Sequence, residues 1–112
     1  MNSFNWRQDT SRIVNFDALA QLKNNHALLI DLREANAYAK FHLPDFINLP
    51  YSKYPLWQHT LPKSHPICFV CAYGKTAYEV AMQLYAQDYD SYAFSLGIEH
   101  LKNVPLKNDT YW

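Results

Sequence analysis

Six consecutive residues near the middle of the chain, Cys71-Ala72-Tyr73-Gly74-Lys75-Thr76, have the types and spacing from which a reactive thiolate is built. The apolar run before them, Ile67-Cys68-Phe69-Val70, reads as a buried strand, and Ala77, Val80, Ala81 and Leu84 follow at the spacing of one helical face. A cysteine at such a junction sits in a turn whose backbone N–H groups point inward, and the positive end of the helix dipole adds to them. Both favour an anion. The sulfur is therefore expected to lose its proton more readily than a free thiol, whose pKa is about 8.5, and the thiolate is the nucleophile. Cys68, inside the strand, reads instead as an inert core thiol.

The segments that must position this loop alternate between strand and helix. Arg12-Ile13-Val14 has the pattern of a short strand, and Asn15 of an N-cap for a helix whose apolar side is Phe16, Leu19, Ala20 and Leu22. The unbroken run Ala27-Leu28-Leu29-Ile30 suits a central parallel strand buried on both faces. Glu34 to Lys40 predicts a short helix, Ile47-Asn48-Leu49 a brief strand, and Ser52 a cap for a helical stretch around Tyr54 to His59. After the loop come a helix over Thr76 to Gln87, a strand at Tyr92-Ala93-Phe94, and a final turn opened by Gly97 with Ile98 and Leu101. This alternation predicts an α/β fold with a mostly parallel sheet, helices on both faces, and ligands beyond the carboxyl ends of strands. Cys71 falls at such an end.

With 112 residues and no linker or repeat, the chain reads as a single domain, 1–112, with peripheral ends at residues 1–10 and 103–112. Trp6, Tyr111 and Trp112 read as packing at the core edge rather than as partner contacts. Ten basic and ten acidic side chains cancel, without a basic stripe or acidic run, so nucleic acid and anionic membrane are set aside as partners. No apolar stretch approaches the roughly 20 residues of a membrane span, and the start lacks a signal peptide's basic-then-apolar layout. The expected compartment is the cytoplasm. A Cys68–Cys71 disulfide is not expected, because in an extended strand their Cα atoms lie about 10 Å apart and their side chains face opposite ways. His65, Cys68 and Cys71 fail as a zinc set for a similar reason, and no second ligand pair follows. No metal or other cofactor is expected.

Three stretches, taken together, are distinctive. Leu29-Ile30-Asp31-Leu32-Arg33-Glu34 holds an Asp-x-Arg at a strand end, Tyr38 to Pro50 contains His42-Leu43-Pro44 and Ile47-Asn48-Leu49-Pro50, and the Cys71 loop leads into a helix. Phe94-Ser95-Leu96-Gly97 adds a late strand and glycine turn. In this order, over about residues 12 to 101, the chain resembles the rhodanese-like, single-domain sulfurtransferases. That resemblance implies the rhodanese-like three-layer fold, with a central five-stranded sheet flanked by helices. It also implies a chemistry. Cys71 would take the outer sulfur of a donor, either a small anion such as thiosulfate or a protein persulfide. It would hold the sulfur as a persulfide and pass it to cyanide or a thiol, splitting one transfer into two displacements. Backbone donors of Ala72, Tyr73, Gly74, Lys75 and Thr76 would stabilise the persulfide anion. Asp31, Arg33 and His42 fall on framework positions and read as structural.

The departures from the family pattern are specific. Phe41, Asp45 and Phe46 stand where relatives usually have Gly, Gly and Ala, so the turn around His42 must tolerate side chains. Ala37 replaces a common glutamate, which removes one partner of Arg33. Gly97 is alone where a glycine pair followed by tryptophan is frequent. Thr76 occupies a position that is often arginine, leaving Lys75 as the only cation of the loop. The grip on a doubly charged donor is thereby weakened, which favours a protein persulfide. Tyr73 reads equally as a shield for the sulfur or as an exposed aromatic, and Tyr78 and Tyr85 as packing. His26, His59, His65 and His100 read as surface or loop residues.

Two other functions compete with this one. Phosphatases of related fold close a longer cysteine loop with an arginine six positions after the nucleophile, where a guanidinium can hold the phosphoryl oxygens in bidentate fashion. Here that position is Ala77. The alternative is a non-enzymatic rhodanese-like binding or regulatory module. Such modules usually lose the cysteine, whereas this chain keeps it.

Overall fold

The computed structural model describes residues 10–101, so Trp6, Tyr111 and Trp112 lie outside the described residues. The elements run β1 (Ile13–Val14), α1 (Phe16–Asn24), β2 (Leu28–Asp31), α2 (Ala35–Lys40), β3 (Ile47–Asn48), α3 (Tyr54–Trp57), β4 (Ile67–Val70), α4 (Lys75–Tyr85), β5 (Ser91–Phe94) and α5 (Ile98–Leu101). The strands form one five-stranded sheet in the order β1-β5-β4-β2-β3, and every neighbouring pair is parallel. This is the expected α/β architecture. β4 is central, with Leu28 to Asp31 of β2 facing Ile67 to Val70 on one side and β5 on the other.

The unbroken apolar runs follow from burial on both faces of the sheet. Ile67 and Phe69 of β4 pack with Ile30, Trp57, Tyr78, Val80 and Leu84 in one layer. Cys68 and Val70 point the other way, into a layer with Leu19, Leu29, Leu43, Phe94 and Ile98. All four β4 side chains are fully buried. Because side chains alternate across a strand, a parallel central strand needs apolar residues at every position. The same alternation places Cys68 and Cys71 on opposite faces, and both are free thiols.

Local signals explain most boundaries. Asn15 caps α1, its Oδ1 accepting the Ala18 N–H at 2.9 Å, a contact worth about 1 kcal/mol. α4 begins at Lys75, one residue before the expected Thr76, and ends at Tyr85. Ser52 is a correction. It lies in a 3-10 turn, Tyr51–Lys53, and its hydroxyl donates to Glu34 Oε1 at 3.0 Å instead of capping a helix. α3 is only one turn long, with Lys53 at its N-cap and a proline in its first turn, whose fixed φ suits that position.

The turn around His42 shows how its side chains are accommodated. Asp45 adopts a left-handed φ of 71°, which aspartate tolerates better than most residues, and its carboxylate lies 3.4 Å from Lys23 Nζ. Phe41 is extended, and Phe46 is buried against the second layer. Among the described residues, no helix is long and apolar enough to cross a membrane.

Candidate active site

The loop after β4 wraps around one atom. Cys71 Sγ accepts the backbone N–H of Gly74 at 3.1 Å and of Ala77 at 3.2 Å. The first N–H groups of a helix have no partner within it, and an N-cap side chain usually supplies an acceptor. Here the N-cap is Gly74, which has no side chain and takes a φ of 95° that favours glycine. The cysteine sulfur fills the vacancy. Two aimed N–H donors and the positive end of an 11-residue helix thus face the sulfur.

A second turn supports the loop from behind. The N–H groups of Ile98 and Glu99 donate to the carbonyls of Cys71 and Ala72 at 2.9 and 3.0 Å. Gly97 is pressed against the loop so closely that a β-carbon there would lie 2.1 Å from the Ala72 carbonyl oxygen. α5 therefore clamps the loop from the neighbouring strand's end, which is what the single glycine permits.

The sulfur borders a cavity of about 330 Å³, into which Cys71, Ala72 and Thr76 face. The rest of its wall comes from Leu32, Arg33, Glu34, Ala37, Tyr51 and Glu99. Of the loop residues singled out from sequence, Gly74 bonds the sulfur, while Tyr73 is 77% exposed. Lys75 is outside the cavity lining, and its Nζ lies 3.8 Å from Glu79 Oε2, one helical turn on. Ala77, whose N–H bonds the sulfur, lies one residue beyond the Ala72–Thr76 stretch that the sequence points to. The readable signal was a glycine at the helix start, which frees the N–H groups of the first turn. Glu34, Tyr51 and Glu99 carried no local signal, because only the parallel topology brings their segments to one strand end.

The framework residues are held tightly. Asp31 is fully buried, and its carboxylate takes the Arg33 guanidinium through Nε at 3.1 Å and Nη2 at 2.9 Å, plus the Arg33 backbone N–H at 3.0 Å. Arg33 Nη2 also donates to the Phe41 carbonyl, so the guanidinium is anchored without the glutamate that Ala37 replaces. His42 donates from Nδ1 to the Tyr38 carbonyl at 2.8 Å and stacks on the Tyr38 ring. The two thiols differ sharply in surroundings. Burial pushes the Cys68 thiol up to about 12, so it stays neutral at ordinary pH. Among the described residues, no group of three or more His, Cys, Asp or Glu side chains is placed to hold a metal ion.

Comparison with known proteins agrees with the fold. The family model for the rhodanese-like domain matches residues 15–103. A rhodanese-related protein from Thermoplasma volcanium superimposes with a TM-score of 0.72 at 18% identity, covering 88% of this chain and 99% of that one. The human single-domain sulfurtransferase TSTD1 gives 0.67 at 18% identity, covering 85% and 99%. Reduced Bacillus anthracis CoADR-RHD gives 0.70 at 23% identity over 78% of this chain, which spans only 16% of that protein.

Proposed function

Because the chain belongs to the rhodanese-like domain family, we propose that it is a sulfurtransferase whose Cys71 carries a sulfane sulfur between donor and acceptor. The observation that carries this reading is the pair of backbone N–H groups aimed at Cys71 Sγ at the edge of an open cavity. With a donor such as thiosulfate, the Cys71 thiolate attacks the outer sulfur. A Cys71–sulfur bond forms, the sulfur–sulfur bond of the donor breaks, and sulfite departs with the bonding pair. The terminal persulfide sulfur then bears the negative charge. An acceptor, cyanide or a thiolate, attacks that sulfur and restores the Cys71 thiolate. In each step the attacking group reacts as its anion, and the sulfur it displaces leaves as an anion. Fixed N–H donors need no reorganisation as charge moves onto and off the sulfur, which is the basis of their contribution. The reading also assigns the protein to the cytoplasm, where the reactive thiol would stay reduced.

Replacing Cys71 with serine is expected to abolish thiosulfate-to-cyanide transfer, while Cys68→Ser keeps most of it. Cys68 lies on the opposite face of the sheet. Equal losses in the two variants would overturn the assignment.

A further inference from the structure

We infer that Tyr51 is a specificity-determining residue of this site: its ring, with the room left by Ala37, forms a flat seat for the organic body of a small sulfur compound, and an aryl body fits it best. This rests on the sulfur-transfer reading and adds to it which small partner the cavity takes. Tyr51 and Ala37 share the cavity wall with Cys71, Leu32 and Ala72. Ala37 stands where relatives commonly carry a glutamate, so the wall is open and uncharged at a point that a longer acid usually fills. Among the described residues the one cation in the wall is Arg33, whose side chain is only 6% exposed and is committed to Asp31 and to the Phe41 carbonyl. Little charge is left there to select a ligand by. The volume of about 330 Å³ lies in the range of cavities that enclose organic molecules, in which apolar and aromatic side chains supply most of the contact.

The ring is held in place before any ligand arrives. The Tyr51 N–H donates to the Leu32 carbonyl at 2.9 Å, and Asn48 Nδ2 donates to the Asp31 and Arg33 carbonyls at 3.1 and 2.8 Å. With the Ser52 hydroxyl on Glu34 Oε1 at 3.0 Å, these contacts pin the turn against the end of β2. The Tyr51 ring stacks on Tyr54 at 5.7 Å, Tyr54 meets Trp57 edge-on at 5.0 Å, and Trp57 stacks on Phe69 of β4 at 6.3 Å. A row of four aromatic rings thus runs from the cavity wall to the middle of the sheet. Tyr51 nonetheless remains 42% exposed. A ring already fixed on one side has little freedom left to lose when a ligand arrives, which favours binding. Paired aromatic rings also gain more than the burial of their area supplies, so a flat body is preferred over an alkyl one.

Two donors that differ only in the body test this: benzenethiosulfonate and methanethiosulfonate carry the same outer sulfur and the same single charge. The Cys71 thiolate attacks the outer sulfur, the donor's sulfur–sulfur bond breaks, and the sulfinate leaves with the bonding pair. Cyanide then takes the sulfur and restores the thiolate. The KM of the phenyl donor is expected to be about tenfold lower, the scale of moving much of a phenyl ring out of water. Tyr51→Phe is expected to keep that ratio and Tyr51→Ala to remove most of it. Ala37→Leu, which fills the room without adding charge, is expected to raise the phenyl donor's KM more than the methyl donor's. Equal KM values in the wild type, or a ratio that survives Tyr51→Ala, would overturn the role of Tyr51; a ratio unmoved by Ala37→Leu would overturn the place given to the body. Benzenesulfonate, which has no sulfur to give, is expected to protect Cys71 from iodoacetamide in the wild type and in Tyr51→Phe but not in Tyr51→Ala. Absence of protection in the wild type would overturn the seat. Because protection reads binding alone, a protein that takes sulfur from neither donor fails the sulfur-transfer reading while the seat is still scored.

Discussion

Gly97 and Ala72 stand closer than any side chain would allow: a β-carbon on Gly97 would lie 2.1 Å from the Ala72 carbonyl oxygen and 2.5 Å from Tyr73 Cα. The contact joins the turn before α5 to the loop that encloses Cys71. Because the obstructing atoms are backbone, no side chain can swing away to relieve a substitution. Gly97→Ala must move the loop or α5, at an expected cost of about 1–3 kcal/mol. It is also expected to slow alkylation of Cys71 by iodoacetamide, since displaced donors no longer meet the sulfur. Urea unfolding and alkylation rates check both, and wild-type values in both would show that the loop does not lean on this glycine.

The buried couple of Asp31 and Arg33 predicts an asymmetric response. Asp31 is fully buried and Arg33 nearly so, and their two-point contact satisfies both. Removing the carboxylate with Asp31→Ala strands a buried guanidinium, at an expected cost of about 3–5 kcal/mol. The denaturation midpoint reports it, and a loss below about 1 kcal/mol, the scale of an exposed pair, would mean the couple is solvated.

Cys68 gives a pH prediction whose sign follows from its direction of shift. Burial raises its thiol from 9.0 to about 12, so between those values the folded state keeps a proton that the unfolded chain gives up. Its contribution to stability is complete below the lower value and is lost as pH rises toward the upper. The slope approaches about 1.4 kcal/mol per pH unit. The stability difference between wild type and Cys68→Ala is expected to shift accordingly across that window, which cancels the lysines and tyrosines common to both. A difference that stays constant would contradict the burial account.

Tyr54 predicts a gain. Its hydroxyl is buried without a hydrogen-bond partner among the described residues, and burial, followed by the neighbouring Tyr51 and Tyr89 phenols, raises its pKa. Tyr54→Phe removes the unsatisfied group and keeps the ring that packs edge-on against Trp57 at 5.0 Å. Thermal unfolding is expected to show a stabilisation of about 1 kcal/mol, or at least no loss. A clear destabilisation would reveal a partner for the hydroxyl.

What the sequence made legible is what its local chemistry determines. The runs of β2 and β4 announced strands buried on both faces, Asn15 announced its cap, and the glycine after Cys71 announced a turn whose N–H groups face the sulfur. Ser52 misled because its hydroxyl has a tertiary competitor, Glu34, that no local pattern reveals. Lys75 and Glu79 stand four apart on one helix, a spacing that brings their side chains together and turns the lysine along the helix. The cavity wall was least legible. Leu32 and Glu34 follow β2, Tyr51 follows β3 and Glu99 stands on α5, and nothing short of the strand order places them beside Cys71.

The central claim is that Cys71 carries sulfur, and the mass of the protein after exposure to a persulfide donor tests it most directly. The account predicts a gain of one sulfur atom, located on Cys71, retained in Cys68→Ser and absent from Cys71→Ser. Cyanide is expected to remove it with release of an equal amount of thiocyanate. A protein that stays unmodified, or that takes the sulfur on Cys68, would contradict the account.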